Sequence, residues 1–481
     1  MHWLSVQRLI GLLLMLFSIS FLPPVVVSAW YADGEVLHFL ISAAVTFAAG
    51  LLVWLPVARH REELSLRDGY LVVALFWAVL GVVGSLPLIL GVHLDFTDAV
   101  FESVSGFTTT GATVIVGLDQ LPRSILYYRQ QLQWLGGLGV IVLAVAILPM
   151  LGVGGMQLFR AETSSLTSDE KITPRITQTA RALWIIYLGM TVFCAALFWL
   201  AGMTPFDAIS HSFSTVATGG FSTHDASLGY FDSVAIELIA SVFMLLGATS
   251  FALHFMFVRR GRARVYVMDA EFRAFLLIVA VAVVLVSFGL WWADVYADPS
   301  EAVRYAGFQV VSVITSTGFG TATFAEWPLY IPLLLAAISF VGGCVGSTAG
   351  GMKVVRIVLL AKQGLRQLKA SMYPRAMLPV KLGDRSVPED VLQTVWGYYS
   401  LYIMTTLFLT LGMMATGLDL ESSFGAVVAT INLLGPGLGE VASTFVTAGD
   451  AVKWMGVFAM LVGRLEVVTL FVLFTAWFWR P

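Results

Sequence analysis

The stretch FTTTGATV, residues 107–114, decides the fold of this chain, because it places three threonines and a glycine in strongly apolar surroundings. The 481 residues are 58% hydrophobic and only 12% charged, whereas soluble domains carry charge at about 25% of positions. This composition is typical of an integral membrane protein. Non-helical backbone at membrane depth is tolerated only where it is buried in protein or lines a watery cavity, so the stretch points to such a place.

Ten apolar runs are long enough to cross a bilayer, which requires about 20 residues of helix. Their continuous apolar character, without period-two alternation, favours helices over a β-barrel. The first run can also be read as a signal peptide, but its length exceeds the usual limit of about 15 residues and favours a retained helix. The runs cover residues 9–28, 36–57, 70–92, 132–151, 183–201, 234–258, 275–292, 331–360, 395–415 and 452–477.

Basic residues follow the second, fourth, sixth and eighth runs and stand at the end of the chain. The positive-inside rule therefore places these segments and both termini in the cytoplasm. The opposite loops are acidic and would concentrate cations at that face. The basic clusters otherwise set topology or contact anionic membrane lipid, and the net charge of -3 gives no indication of nucleic-acid binding. The basic residues are Arg59, Arg61 and Arg67, then Arg160, Lys171 and Arg175, then Arg259, Arg260, Arg262 and Arg264, then eight more between 353 and 385, and Arg480.

Motifs of soluble enzymes are not found in the sequence. Cys194 and Cys344 both fall in apolar segments, which argues against a disulfide framework or a cysteine-rich metal site. The chain contains no HExxH, GxSxG or Walker-type sequence. An intramembrane enzyme would need paired catalytic groups at depth, and most acids lie in the outer loops instead. We therefore expect no enzymatic activity and no organic cofactor.

The opening stretch is the first of four similar segments, each between two apolar runs. Their glycines, Gly111, Gly220, Gly318 and Gly435, are separated by 109, 98 and 117 residues. Such internal repetition predicts four tandem units of helix, pore loop and helix. Each unit crosses twice, so all four have the same orientation and can form a pseudo-fourfold ring. The predicted fold is an all-α polytopic membrane protein with two N-terminal transmembrane helices, 1–67, and pore repeats at 68–160, 161–264, 265–385 and 386–481.

Helix-start signals precede each glycine and predict four short pore helices. Thr97 precedes Asp98, and Thr204 precedes Pro205. The later segments begin with Asp298 before Pro299 and with Asp419 before Glu421. A helix of about ten residues is about 15 Å long and would cross half the membrane. The negative ends of four such helices and the following carbonyl groups can bind a dehydrated monovalent cation at one axis. A single loop of this kind would more simply be a glycine packing contact.

The four loops taken in order resemble the bacterial Trk/Ktr/HKT superfamily of potassium transporters, and among its members the TrkH subunits. The resemblance extends over the whole chain and rests on SGFTTTGAT, STVATGGFST, STGFG, NLLGPGLGE and GGCVGSTAGGMK. It implies a pore in which backbone carbonyls hold the transported K+. Gly111 stands where a serine accompanies sodium selectivity in related plant proteins, so potassium is favoured. The implied filter residues are Thr110, Gly111, Thr218, Gly219, Gly220, Thr317, Gly318, Asn432, Leu434 and Gly435.

The eighth apolar run contains VGGCVGSTAGGMK, which has two interpretations. Gly342, Gly346 and Gly350 repeat every four residues, as in a helix packing face. The run is longer than one crossing, which favours a broken helix with a loop in the pore. The resemblance implies that this loop is a gate beneath the filter. Its implied gating residues are Gly346, Ser347, Thr348, Ala349, Gly350, Gly351 and Lys353.

Arg464 lies near the middle of the last apolar run, far from either membrane surface. A charge at this depth is by default functional, and a structural ion pair with another segment is the alternative. Glu466 is two residues away and does not face the same side of a helix. The resemblance implies that Arg464 approaches the pore below the filter and controls gating.

Regulation by a nucleotide would require a second protein, because residues 361–390 are too few for a nucleotide-binding domain of about 100 residues. The resemblance implies a homodimer that docks a cytosolic TrkA-type subunit binding NAD and ATP. It also implies a bacterial cytoplasmic (inner) membrane location.

We therefore expect potassium uptake through a gated, channel-like pore. The alternatives are a proton-coupled potassium symporter and a sodium- and potassium-permeable HKT-like transporter. His211 and Glu466 are candidate proton carriers for a symporter. A scaffold subunit is a further alternative, but it leaves the four glycine loops unexplained.

Overall fold

The computed structural model describes residues 1–60, 65–142, 176–328, 330–383 and 385–480. These residues are mostly helical, and the only sheet within them is an antiparallel hairpin of Lys381–Leu382 and Arg385–Ser386. Part of the predicted fourth crossing, beyond residue 142, lies outside the described residues. So do the predicted boundary between residues 160 and 161 and the basic residues Arg61, Arg160, Lys171 and Arg175.

Two crossings precede the repeats, as predicted. The first consists of helices Trp3–Ser18 and Leu22–Tyr31, joined by a 3₁₀ turn at Ile19–Phe21. The second is Val36–Trp54, continued by a 3₁₀ turn at Leu55–Val57. Both segments are long and apolar enough to cross a membrane.

Each repeat contains three elements, which we call the outer, pore and inner helices. The outer helices are Leu66–Val83 with Leu86–Gly91, Ile176–Leu200, Ala270–Trp292 and Glu389–Met414. The pore helices are Phe96–Phe107, Pro205–Val216, Pro299–Ile314 and Leu420–Ile431. The inner helices are Arg123–Val142, Val234–Gly247 with Phe251–Arg260, Tyr330–Ser339 with Val354–Met372, and Asp450–Leu465 with Val467–Val472. Further short α-helices lie at Arg264–Met268 and Ala476–Trp479.

The pore helices begin at capping residues. Thr204, Asp298 and Asp419 cap the second, third and fourth of them, as the sequence predicts. The first is capped by Asp95, whose side chain accepts a hydrogen bond from the backbone N–H of Asp98. The sequence interpretation of Thr97 as the start was therefore wrong by two residues, because Thr97 lies inside the first turn.

Fewer helices meet the length and hydropathy requirements for spanning a membrane than the ten predicted runs. Within the described residues five do, and a sixth does if Val234–Gly247 and Phe251–Arg260 count as one span bent by 96°. The inner helices of the third and fourth repeats are broken into shorter pieces, and Arg123–Val142 carries polar side chains. Large parts of these inner helices are buried against neighbouring helices, where polar residues and breaks are tolerated.

The four repeats close into a ring, which confirms the predicted fold class. Each of the last three pore helices packs against the inner helix of the preceding repeat, and the first packs against that of the fourth. One large apolar core joins the N-terminal helices to repeats one and four, and a second joins repeats two and three. The loops after the pore helices therefore meet at the centre.

Candidate ion-conduction site

The four loops that follow the pore helices share one backbone conformation. Each pore helix ends four residues before the glycine of its loop. The glycine, and the residue two positions before it, have positive φ, a left-handed conformation that side chains disfavour. The φ angles are 82°, 79°, 83° and 92° at Gly111, Gly220, Gly318 and Gly435, and 58°, 51°, 52° and 57° at Thr109, Thr218, Ser316 and Leu433. Four loops of different sequence thus have the same shape.

The glycines contact the neighbouring loops so closely that the loops form a closed ring. A Cβ atom added to any of the four would come within 3.0 Å of a carbonyl oxygen in the next loop. Each of these carbonyls belongs to the residue directly before the glycine of its own loop. The ring therefore places four equivalent carbonyl oxygens around one axis, at positions that only glycine neighbours permit. The contacts are Gly111 with Gly219, Gly220 with Thr317, Gly318 with Leu434, and Gly435 with Thr110.

The side chain of Asn432 links the fourth loop to two neighbouring helices. Its Oδ1 accepts a hydrogen bond from the Tyr402 hydroxyl at 2.5 Å, and its Nδ2 donates one to Ser339 Oγ at 2.7 Å. Its backbone carbonyl lies against Gly350, on the side of the ring opposite the pore-helix starts. Among the residues predicted for the filter, Asn432 is thus the one whose side chain links the loop to two surrounding helices.

A cavity of about 480 Å³ opens on the ring from the side where the pore helices begin, and we call it the vestibule. Its lining includes Gly111, Gly220 and Gly318 together with Asp225 and His224. Three of the four ring glycines are therefore accessible from this side through a water-sized space.

His224 joins two loops at the rim of the vestibule. Its Nδ1 lies 2.5 Å from Asp119 Oδ1, its Nε2 lies 3.6 Å from Asp207 Oδ1, and its ring stacks on Tyr230 at 3.5 Å. Burial by itself would lower the pKa of His224, but the hydrogen bonds and charges of the two aspartates outweigh it and raise that pKa. The hydrogen bond with His224 lowers the pKa of Asp119. Both shifts favour an ion pair that cross-links the first and second repeats.

Residues 340–353, between Tyr330–Ser339 and Val354–Met372, form a segment that we call the intramembrane loop. It contacts the carbonyl ring loops directly from the side opposite the vestibule. Thr348 Oγ1 accepts a hydrogen bond from Thr218 Oγ1 at 3.0 Å, and the Gly350 N–H donates to Ser316 Oγ at 2.5 Å. A helix packing face is thus ruled out for Gly342, Gly346 and Gly350, because these glycines lie in a loop.

The other residues predicted for a gate hold the intramembrane loop in its fold. Thr348 also donates from its N–H and its hydroxyl to the Gly247 carbonyl, where the second inner helix bends. Gly346 and Gly351 have φ of 75° and 74°. The remaining contacts are Phe251 N–H to Gly346 O at 3.0 Å, Ser347 Oγ to Cys344 O at 2.6 Å, and Lys353 Nζ to Ala349 O.

Glu271 binds both the intramembrane loop and the helix that follows it, a role that the sequence analysis did not identify. Its Oε1 accepts hydrogen bonds from the N–H groups of Val345 at 3.0 Å and Val355 at 3.2 Å. The side chain is buried at the start of the third outer helix. One carboxylate oxygen therefore ties the loop and the first turn of the following helix to the third outer helix.

Arg464 is buried in the last turn of Asp450–Leu465, where the chain breaks at Glu466 with φ 60°. Arg464 therefore lies directly before a break within the fourth inner helix, which continues as Val467–Val472. Its Nη1 donates to the Thr348 carbonyl at 2.9 Å, and its guanidinium lies 5.4 Å from the Trp77 ring. Its Nε and Nη2 have no hydrogen-bond partner among the described residues. Glu466 instead pairs with Arg356 at 2.7 Å.

Comparisons with known proteins agree with this geometry. The family model described as "TrkH: Cation transport protein" matches residues 36–479. The chain is 53% identical over 484 residues to "Trk system potassium uptake protein TrkH" of Vibrio parahaemolyticus, and 50% identical over 482 residues to the protein of that name from Escherichia coli K12. Both alignments cover 100% of each chain. The chain belongs to the TrkH family. A crystal structure of the potassium transporter TrkH from Vibrio parahaemolyticus matches it with a TM-score of 0.93 and 51% identity, covering 100% of both chains.

Membership of the TrkH family confirms the resemblance that the loop sequences indicated. The structure brings the predicted filter glycines into one ring and places the predicted gate residues directly beneath it. Sequence reasoning missed Gln133, Glu271 and Tyr402, which hold these loops from helices distant in the sequence. Gln133 and Glu271 fall in or next to predicted crossings, and a polar or charged side chain at such a place is a signal of function.

Proposed function

We propose that this TrkH-family chain takes up potassium across the bacterial cytoplasmic membrane through a gated, channel-like pore, with the N- and C-termini in the cytoplasm. The observation that carries the proposal is the closed ring of four carbonyl oxygens next to Gly111, Gly220, Gly318 and Gly435. Carbonyl dipoles replace the hydration shell of a monovalent cation without adding a fixed charge that would retain it. The printed names of the close relatives, potassium uptake proteins, support K+ as the transported ion.

The contacts of the two candidate proton carriers favour a passive pore over a proton-coupled symporter. His211 is buried, and its ring nitrogens lie 2.9 Å from the Asp207 carbonyl and 2.9 Å from Ser222 Oγ. Glu466 forms an ion pair with Arg356 at 2.7 Å. Both groups thus have structural partners, and neither needs a proton-carrying role to explain its position.

The intramembrane loop and Arg464 are proposed as the gate. The loop touches the carbonyl ring through Thr218 and Ser316, so a change in its position alters the path below the ring. The buried guanidinium of Arg464 adds a positive charge at the same level and opposes cation passage. Opening therefore requires the loop and Arg464 to move together, because Arg464 donates to the loop carbonyl of Thr348.

A cytosolic TrkA-type subunit that binds NAD and ATP is proposed to control this gate, with two copies of the chain forming a homodimer. Residues 361–390 form the end of helix Val354–Met372 and a small hairpin, which is too little for a nucleotide site. The helix continues directly from the intramembrane loop, so a partner bound to it has a mechanical connection to the gate. The basic side chains of the other cytoplasmic segments are proposed to contact anionic membrane lipid.

The proposal is tested by the reversal potential of the purified protein in a planar bilayer, with potassium on one side, sodium on the other, and pH varied independently. We expect a potential set by the potassium gradient and unchanged by pH. Addition of the nucleotide-loaded partner should change the current without moving that potential. A reversal potential that follows the proton gradient would replace the channel by a symporter, and equal permeation of sodium would favour an HKT-like transporter. Absence of any current from folded protein, with and without partner, would revive a scaffold role.

A further inference from the structure

Paired threonine hydroxyls brace two of the four loops of the carbonyl ring. In the first repeat Thr108 Oγ1 and Thr110 Oγ1 lie 2.7 Å apart, and in the third Thr315 Oγ1 and Thr317 Oγ1 also lie 2.7 Å apart. Each pair connects the residues one and three positions before the ring glycine. The hydrogen bond therefore fixes the peptide whose carbonyl oxygen belongs to the ring. These two loops supply their own support.

The second loop lacks such a pair, because Ala217 and Gly219 occupy the two positions. Its support comes from Gln133, on the inner helix of the first repeat. Gln133 Nε2 donates to the Gly219 carbonyl oxygen at 2.6 Å, and Gln133 Oε1 accepts from the Phe221 N–H at 3.1 Å. A single buried amide thus binds the peptide groups on both sides of Gly220.

The fit of Gln133 explains why two glycines stand together in this loop. A Cβ atom on Gly219 would lie closer than 3.0 Å to the amide atoms of Gln133. Gly219 therefore cannot carry the threonine found at the same position of repeats one and three while Gln133 holds its place. The missing hydroxyl pair and the glutamine are therefore linked, because the Gln133 amide occupies the space that a side chain at position 219 would need.

We propose that Gln133 is a positioning residue for ion selectivity, because it binds the ring carbonyl of Gly219 directly in a loop that has no hydroxyl pair of its own. The proposal rests on the function proposed above for the carbonyl ring. A carbonyl oxygen has two lone pairs, so the amide occupies one and leaves the other for a cation. Discrimination between K+ and Na+ depends on how firmly the ring holds its carbonyls apart, since a freer carbonyl can move in around the smaller ion.

Gln130 also contacts this loop, but at a different point. Its Nε2 donates to the Phe221 carbonyl at 3.1 Å, beyond Gly220 and outside the ring of carbonyls. Loss of Gln133 therefore frees the Gly219 carbonyl while the loop stays attached to the inner helix. The expected consequence is a change in selectivity in a protein that still folds and conducts.

The first test compares Gln133→Leu with the matched control Gln131→Leu, through the ratio of potassium to sodium permeability in a bilayer. Gln131 lies on the same helix and is also buried, but it donates to the Ser20 carbonyl, away from the ring. Two lost hydrogen bonds should lower the permeability ratio of Gln133→Leu by about tenfold. The ratio of Gln131→Leu should stay at the wild-type value. A wild-type ratio in conducting Gln133→Leu would overturn the proposal.

The second test uses Gln133→Glu and remains decisive if Gln133→Leu fails to fold. A protonated carboxyl group can donate to Gly219 O and accept from Phe221 N–H, as the amide does, whereas a carboxylate cannot donate. Selectivity of Gln133→Glu should therefore be low at high pH and recover as the pH falls, while the wild-type ratio stays constant. A ratio independent of pH in this variant would contradict the positioning role.

Measurement of Gly220→Ala in the same bilayer distinguishes failure of the role proposed for Gln133 from failure of the carbonyl ring as the conduction site. If Gly220→Ala alters conduction and the Gln133 variants leave selectivity unchanged, the carbonyl ring stands and only the role of Gln133 fails. If Gly220→Ala changes neither current nor selectivity, the ring is not the conduction site, and the proposed function fails with it.

Discussion

Gly220→Ala is expected to lower the potassium current by about ten- to a hundredfold, because the carbonyl ring has no room for the added methyl group. Gly220 has φ 79°, and a Cβ atom there would meet the Thr317 carbonyl oxygen of the next loop. Overpacking of this kind costs about 1 to 3 kcal/mol, which the ring can avoid only by moving a carbonyl off its position. The measurement is the single-channel conductance of purified protein, with the elution profile as evidence of folding.

Gly117→Ala is the matched control for this variant. Gly117 has nearly the same φ, 76°, but open space where a Cβ atom would lie. It therefore carries the conformational cost of alanine without the contact with a neighbouring loop. We expect a near wild-type conductance from Gly117→Ala. Equal conductance of the two variants would show that crowding in the ring does not matter for ion passage.

Arg464→Ala is expected to raise the potassium current by about tenfold or more, because it removes a buried positive charge below the ring. At an effective dielectric constant of about 20, two like charges about 6 Å apart repel by about 3 kcal/mol. The substitution also removes the hydrogen bond from Nη1 to the Thr348 carbonyl, which holds the intramembrane loop. The measurement is the initial rate of rubidium influx into liposomes containing the variant without the partner subunit.

Arg464→Lys separates the two contributions of this side chain. It keeps the positive charge but loses the planar group that donates to Thr348. If charge sets the barrier, influx through Arg464→Lys stays near the wild-type rate. If the hydrogen bond holds the gate, it rises towards the rate of Arg464→Ala. Unchanged or slower influx through correctly folded Arg464→Ala would contradict a gating role for this residue.

Much of the fold could be predicted from local sequence because each repeat carries its own signals. Thr204, Asp298 and Asp419 are capping residues before short helices, and the glycines recur at similar intervals. The broken third inner helix could be predicted from the length of its apolar run. These features depend on residues close together in the chain.

Contacts between residues that are distant in the sequence could not be predicted in the same way. Gln133 and Glu271 bind loops 86 and 74 residues away, and nothing near them in the sequence identifies the partner. The break after Arg464 was missed because Glu466 adopts φ 60° without a glycine or proline to mark it. The bend at Ala248–Ser250 was also missed. It is stabilised by N–H groups of the intramembrane loop, distant in the sequence, which donate hydrogen bonds to backbone carbonyl groups at the bend. The backbone conformation and the contacts of such residues are defined only when the four repeats close into the ring.

The most direct test of the carbonyl ring as the conduction site is the position of thallium ions, which substitute for potassium, in crystals of the protein soaked in a thallium salt. We predict an anomalous density peak on the axis, in contact with the carbonyl oxygens of Thr110, Gly219, Thr317 and Leu434. Thallium that is ordered elsewhere along the chain but absent from this ring, at concentrations that saturate transport, would contradict the account.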